Sequence, residues 1–451
     1  MQNELRWGAL IEIADVVMGQ SPAGSACNQI GEGIPLLNGP TEFGGRYPSP
    51  TQYTTDPRKF AETGDLLFCV RGSTTGRMNW ADQNYAIGRG LGAIRHKTDL
   101  SCQPFVRAVI EYSLPNLLAE ATGSTFPNVS RDQILKLRTP IFSATDQKAI
   151  AHILGTLDDK IELNRQMNET LESMAQALFK SWYVDFDPVI DNALAAGNEI
   201  PEPLQQRAEM RKALGDQRKP LPPEIQSLFP DRFVFTEEMG WVPEEWCYKC
   251  ADDVACVGIG KTPPRKESQW FSEEPNGNFT WVSIKDLGLK AAYINDSSEY
   301  LIPEAVERFN VRVVPTGSVL LSFKLTLGRV AIAKKQLTTN EAIAHFRDLK
   351  NGLNTEYMYL YLKLFDYNSL GSTSSIATAI NSKIIKAMPV LCPKESVLDA
   401  FKELTIDWFN RLQLIQAEKD NLEHLRDTLL PKLLSGELRI PDAEKQVAEA
   451  L

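Results

Sequence analysis

Cysteine is scarce in this chain, and so are most patterns that would announce a metal, a membrane or an exported product. Seven cysteines, at 27, 69, 102, 247, 250, 256 and 392, are spread over 451 residues. They are too few and too uneven for a disulfide framework, and their odd number argues for free thiols. Cys247 and Cys250 make one Cys-x-x-Cys, but no second pair follows, and His96, His152, His345 and His424 stand far from it in sequence. A zinc site is therefore not expected. No apolar run approaches the ~18 residues that span a bilayer. The opening Met-Gln-Asn-Glu-Leu-Arg lacks the basic-then-apolar order of a secretory signal, so the expected location is cytoplasmic, away from membranes.

Signatures of catalysis are missing as well. A methyltransferase acting on a base amino group needs a glycine-rich S-adenosylmethionine loop and an Asn/Asp-Pro-Pro-aromatic grip. The chain has neither, since its Pro-Pro pairs follow Leu221 and Thr262. Ala255-Cys-Val-Gly-Ile-Gly-Lys-Thr262 has the outline of a phosphate loop. Such a loop must open a helix whose amides meet the phosphates, and Pro263 and Pro264 oppose that. No Gly-x-Ser-x-Gly elbow, His-Glu-x-x-His pair or nuclease carboxylate cluster is present. The sequence reads as a protein that binds, with no catalytic residue, metal or cofactor of its own.

What is present is a duplication. Gly19-Gln-Ser-Pro22 is echoed by Gly260-Lys-Thr-Pro263, and Gly64-Asp-Leu-Leu-Phe68 leading to Gly76-Arg77 by Gly317-Ser-Val-Leu-Leu321 leading to Gly328-Arg329. Thr125-Phe-Pro-Asn-Val-Ser130 is echoed by Ser374-Ser-Ile-Ala-Thr-Ala-Ile-Asn-Ser382, each before an apolar run that ends in proline, Pro140 and Pro389. The period of roughly 250 residues is far above that of solenoids, so two related domains are implied rather than a stacked array. Within each copy, short Val, Ile, Leu and Phe runs bounded by Gly, Pro and Asn predict a strand-rich α/β (α+β) domain.

Each copy closes on a helical pattern. Ile150, Leu154, Leu157, Ile161, Leu171, Met174 and Leu178 recur at helical spacing, interrupted by Asn164 and Asn168, with Ser143 or Thr145 as N-cap. Phe401, Trp408, Ile415, Leu422 and Leu429 stand seven apart, until Pro431 and Gly436 end the pattern. The two are expected to pair as an antiparallel coiled coil and, with these apolar stripes, to offer a surface to protein partners. About 35 residues of helix span roughly 50 Å. The expected domains are 1–142 and 241–393 for recognition, 143–184 and 394–438 for the helices, 185–240 as a proline-rich connector and 439–451 as a tail.

The charge balance, 58 acidic against 48 basic residues for a net −10, opposes nucleic-acid binding through bulk charge. Local loops point the other way. Arg71-Gly-Ser-Thr-Thr-Gly-Arg77 gathers Arg71, Ser73, Thr74, Thr75 and Arg77, with Asn79 close behind, and Arg46 and Tyr47 lie in a second glycine-flanked turn. The other copy supplies Lys261, Arg265, Lys285, Lys324, Thr326 and Arg329. Arginine pairs with guanine, asparagine with adenine and hydroxyls with phosphate, so these are the candidate contacts to double-stranded DNA.

Leu171-Glu-Ser-Met-Ala-Gln-Ala-Leu-Phe-Lys-Ser-Trp-Tyr-Val-Asp-Phe-Asp-Pro-Val189 resembles the central conserved region of type I restriction-modification specificity subunits. Leu425-Arg-Asp-Thr-Leu-Leu-Pro-Lys-Leu-Leu-Ser-Gly-Glu-Leu438 resembles their distal conserved region. Pro140 followed by Asp146-Gln147, Ile150, Leu154, Leu157-Asp158 and Ile161 is similar to the family's helix start, with Asp for Glu, whereas Lys394-Glu395-Ser396 lacks the Gln. The resemblance runs through nearly the whole chain. It implies a non-catalytic subunit that reads a bipartite, asymmetric site with two recognition domains, the paired helices setting the unread gap. Two modification subunits would bring S-adenosylmethionine and base flipping, and two restriction subunits would bring ATP, Mg and cleavage. A protein-binding coiled-coil scaffold, a fused methyltransferase and a modification-only system are the competing readings.

Overall fold

In the computed structural model, residues 5–121, 127–215, 220–237, 240–288, 291–370 and 380–451 are described. Most of the Ser374–Ser382 motif and the first two residues of the Thr125–Ser130 motif lie outside them. No helix among the described residues is long and apolar enough to cross a membrane. The chain divides into two compact units, Met1–Gln166 with Ala417–Leu451, and Met167–Gln416. Each combines one half of the duplication with segments of both long helices.

In the first unit the strands Ala14–Met18, Leu91–His96, Leu66–Cys69 and Met78–Trp80 form an antiparallel sheet in that order. A second sheet runs Cys27–Asn28, Gln52–Thr54, Ile34–Leu37, Tyr85–Ile87, Phe60–Ala61. Leu66–Cys69 explains its own composition. Alternate side chains on a strand face opposite ways, so Leu66 and Phe68 enter the core beneath the helices while Leu67 and Cys69 enter the core of the smaller sheet. With both faces covered, four apolar residues in a row are required.

The second unit repeats the plan. Cys256–Ile259, Ile343–Arg347, Val319–Ser322 and Val330–Ala333 follow one another in its larger sheet, which adds Tyr293–Ile294 at the edge. Here Val319 and Leu321 face the helical core and Leu320 the smaller one. Gly19 and Gly260 echo each other for a packing reason. A Cβ at Gly19 would sit 2.1 Å from Gly88 O, and one at Gly260 2.2 Å from Asn340 O. The chain after Cys256–Ile259 continues without a helix through Lys261 and Thr262, so the phosphate-loop outline has no helix behind it.

The long helices are Ala144–Tyr183 and Glu395–Ser435. Ser143 caps the first, its Oγ accepting from Asp146 N–H at 3.1 Å. The Asp146-Gln147 pair also has a structural meaning. The Gln147 side chain donates to Phe142 O and its Oε1 lies 2.9 Å from His96 Nε2, which ties the helix start to the sheet. The second helix lacks this device: Lys394 O accepts from Val397 and Leu398 N–H, and Lys394 is ion-paired with Glu245. The helices run antiparallel within each unit. In the first, Arg426 meets Asp158 at 2.9 Å and Lys160 meets Glu418 at 3.0 Å; in the second, Phe179 and Trp182 pack on Phe401.

Three expectations need correction. Pro431 does not end its helix, which continues to Ser435 and stops at Gly436 with φ 75°. The proline costs one backbone donor, but Leu429, Leu430, Leu433 and Leu434 are all buried across it and hold the turn in place. Stretch 185–240 is more than a connector. It contains helices Asp187–Ala196 and Glu202–Leu214, joined by Arg207 and Arg211 on Asp187 and Arg211 on Asp191. Nor is 439–451 a loose tail, since helix Ile440–Ala450 buries Ala443 and Val447 in the first unit's core.

The motif Trp182-Tyr183-Val184-Asp185-Phe186-Asp187 forms the joint after the first long helix. Phe186 turns the chain with φ 54°. Trp182, Tyr183 and Phe186 enter an aromatic cluster with Phe229, Trp246 and Phe401. Burial pushes the Asp187 carboxyl up, but hydrogen bonds from Arg207 and Ser181 and the charge of Arg211 hold it below its ordinary value.

Candidate nucleic-acid interface

In each unit one hairpin of the larger sheet ends in a loop, residues 70–77 in the first and 323–329 in the second. The loop bases are built alike. Cys69 N–H donates to Arg77 O at 2.8 Å and Gly76 N–H to Cys69 O at 2.9 Å; Ser322 N–H donates to Arg329 O at 2.9 Å and Gly328 N–H to Ser322 O at 3.0 Å. Cys69, Gly76 and Arg77 are thus the counterparts of Ser322, Gly328 and Arg329. The second loop is one residue shorter.

The first loop leans on residues 127–128. Gly72 N–H donates to Pro127 O, Thr75 Oγ1 lies 2.9 Å from the same carbonyl, and Arg71 Nε donates to Asn128 Oδ1 at 3.2 Å. Thr75 also reaches Gly72 O at 2.8 Å and Thr74 Oγ1 lies 3.6 Å from Cys69 Sγ, so both threonines shape the loop from within. Arg71, Ser73 and Arg77 remain exposed. Asn79 does not. It is buried, and its amide donates to Gly44 O at 3.1 Å, bracing the turn that carries Arg46 and Tyr47. Tyr47 is exposed, whereas Arg46 is ion-paired with Asp159 at 2.5 Å. Arg46 and Asn79 line a polar pocket of about 210 Å³ with Arg107, Asp158 and Arg426, which turns them toward the helices.

In the second unit Lys261, Lys285, Lys324 and Thr326 are exposed. Arg329 is half-buried and donates to Ile284 O at 2.7 Å, bringing the loop beside Lys285. Arg265 is committed to the protein. Its guanidinium sits 4.4 Å from both the Phe271 and Trp281 ring centres and bonds both oxygens of Glu299, at 2.7 and 2.9 Å. That hydrogen bond holds Glu299 below the ordinary carboxylate range. The structure also exposes a residue that a search for polar DNA readers passes over. Leu325, at the tip of the second loop, is 99% exposed. Counted from the matched loop starts Cys69 and Ser322, it stands where the first loop has Gly72.

The apolar stripes offered as partner surfaces face inward. Ile150, Leu154, Leu157, Leu422 and Leu429 are buried in the first unit's core, with Ile161 packed against it. Phe401 is buried in the second unit's core, Leu171, Leu178 and Trp408 pack on that core, and Ile415 is buried as well. Helical periodicity marks burial without saying whose side chains do the covering. The apolar residues left exposed on these helices are others, among them Leu163, Met174, Leu404 and Leu414.

Residues 9–173 and 243–400, together well over half of the chain, match the model of the type I restriction modification DNA specificity domain family. The chain belongs to this family. Its internal repeat is two copies of the specificity domain, and it is a specificity subunit of the type I class. It is 26% identical over 415 residues to the type I restriction enzyme HindI specificity subunit of Haemophilus influenzae, covering 84% of this chain and 88% of that protein. It is 36% identical over 157 residues to the putative MjaX specificity subunit of Methanocaldococcus jannaschii, covering 35% of this chain and 37% of that one. The crystal structure of a type I S subunit from M. genitalium shares the fold, with a TM-score of 0.51 at 15% identity over 96% of this chain and 97% of that one.

Proposed function

We propose that this specificity subunit reads a two-part, asymmetric DNA site, each recognition domain docking in the major groove at one half, and that it performs no chemistry itself. The observation that carries the reading is the pair of loops with matched hydrogen-bonded bases and different tips, Arg71-Gly-Ser-Thr-Thr on one and Lys324-Leu-Thr-Leu on the other. One scaffold with two side-chain sets suits two different half-sites. The antiparallel helices set the unread gap. Two modification subunits supply S-adenosylmethionine and flip the target adenine, and two restriction subunits supply ATP- and Mg-dependent translocation and cleavage. Their contacts use outward residues such as Leu404 and Leu414, since the inner stripes are covered.

The net −10 accommodates this because DNA affinity depends on cations near the phosphates rather than on total charge. The test is a DNA shift with the complex of this chain and its cognate modification subunit. Replacing Arg71 and Arg77 by alanine should weaken binding at least about tenfold and flatten its salt dependence, as expected when phosphate or base contacts are lost. Unchanged binding would turn the reading toward a protein-binding scaffold.

A further inference from the structure

The tip of the second recognition loop combines two unfavourable features in one residue. Leu325 has φ 61°, in the left-handed region that a bulky side chain rarely adopts. Thr326 N–H donates to Lys324 O at 2.7 Å, which closes a three-residue γ-turn on it. Its side chain is 99% exposed, so no packing offsets the strained backbone. The equivalent position in the first loop is Gly72, φ 90°, where the same conformation carries no steric cost.

The strain is imposed by a rigid base. Ser322, fully buried, donates its hydroxyl to Thr326 O at 2.6 Å and accepts from Arg329 N–H at 3.0 Å, and Arg329 is anchored on Ile284 O. A residue held in a costly conformation by an over-determined surround marks a place where the side chain's position matters. Here it is exposed next in sequence to exposed Lys324, and Arg329 ties the loop base to the carbonyl that precedes Lys285.

We infer that Leu325 reads the 5-methyl group of a thymine in the half-site served by the second recognition domain. The inference rests on the DNA-reading function proposed above. The major-groove edge displays one apolar mark, the thymine methyl, and an aliphatic side chain on a stiff loop is the matching reader, while the exposed Lys324 and Lys285 suit the phosphate walls. Leu327, two residues on, is also exposed, at 38%.

The test uses the complex with the modification subunit and a duplex carrying the motif found by methylation mapping. In Leu325→Gly the loop gains a residue suited to its backbone, so folding is preserved, which a thermal melt no lower than wild type verifies. Binding is expected to weaken about fourfold or more, fourfold being the change that ~0.8 kcal/mol per buried methyl group makes when 1.4 kcal/mol is tenfold. Replacing thymines of that half-site one at a time by deoxyuridine, which lacks the methyl, should cost the wild type about the same factor at one position and cost Leu325→Gly nothing there. Leu325→Asn, which tolerates the left-handed backbone, should behave like the glycine variant. Equal binding by wild type and Leu325→Gly, or no thymine whose methyl separates them, overturns the inference while leaving two-part recognition standing. A wild-type complex that reads no two-part site overturns both.

Discussion

His345 stands on the interior strand Ile343–Arg347 opposite Gly258, which has no side chain to crowd it. A Cβ at Gly258 would lie 2.1 Å from the imidazole, so the pair is a large residue fitted against a necessary small one. The equivalent pair in the other repeat is Ala93 opposite Val17. His345 is buried and neither ring nitrogen has a well-formed hydrogen bond. Burial first, and then the charges of Arg312 and Arg347, push its pKa down from 6.5 to about 4, with only a weak contact to the Ile259 backbone opposing them. In the unfolded chain the ring protonates near its ordinary value, so between pH 6.5 and 4 the unfolded state binds the extra proton. Stability therefore holds above pH 6.5 and falls as the pH drops through this window, by up to about 3 kcal/mol in all. Urea unfolding at stepped pH should show that slope, and His345→Ala, which restores the residue of the other repeat, should reduce it. A slope untouched by the substitution would mean that other groups carry the acid sensitivity. None of this was legible in the sequence, where His345 entered only as a histidine far from the cysteines.

The long helices show what periodicity does and does not convey. Repeats of three, four and seven placed Ile150, Leu157, Phe401 and Leu422 on buried faces because apolar side chains at those spacings must share one side of a helix. The same signal could not tell a face covered by this chain from one covered by another, and here the chain covers its own stripes and leaves Leu404 and Leu414 outward. Helices Asp187–Ala196 and Glu202–Leu214 were hidden for a different reason. Prolines frame them, and bidentate ion pairs between residues twenty apart join them, an arrangement with no periodic signature. Outward apolar residues on the long helices now carry the partner hypothesis. Leu414 is 72% exposed, so Leu414→Glu should change folding stability by less than about 0.5 kcal/mol while weakening assembly with the modification subunit. Size-exclusion chromatography of the co-expressed pair checks it: normal assembly by a normally folded variant would exclude that surface from the contact.

As a whole molecule the chain is one recognition fold written twice. The duplication was readable because glycines that permit close backbone approach, as at Gly19 and Gly260, and the strand runs beside them leave a strict pattern. The side chains proposed to face DNA were much less readable. Arg265 and Asn79 have the right chemistry but are engaged by the protein, and Leu325 lacks the chemistry a search for polar readers seeks. If the helices set the gap, their length should be measurable in the DNA. The direct test is to co-express the chain with its modification subunit and map N6-methyladenine genome-wide by single-molecule sequencing. A second strain would carry two extra helical turns between Ile161 and Glu162 and a matching insertion between Ala417 and Glu418. The expected result is one two-part motif with a fixed gap for the native chain, and the same two halves farther apart for the lengthened one. A continuous motif, or a gap unmoved by the longer helices, would contradict the account.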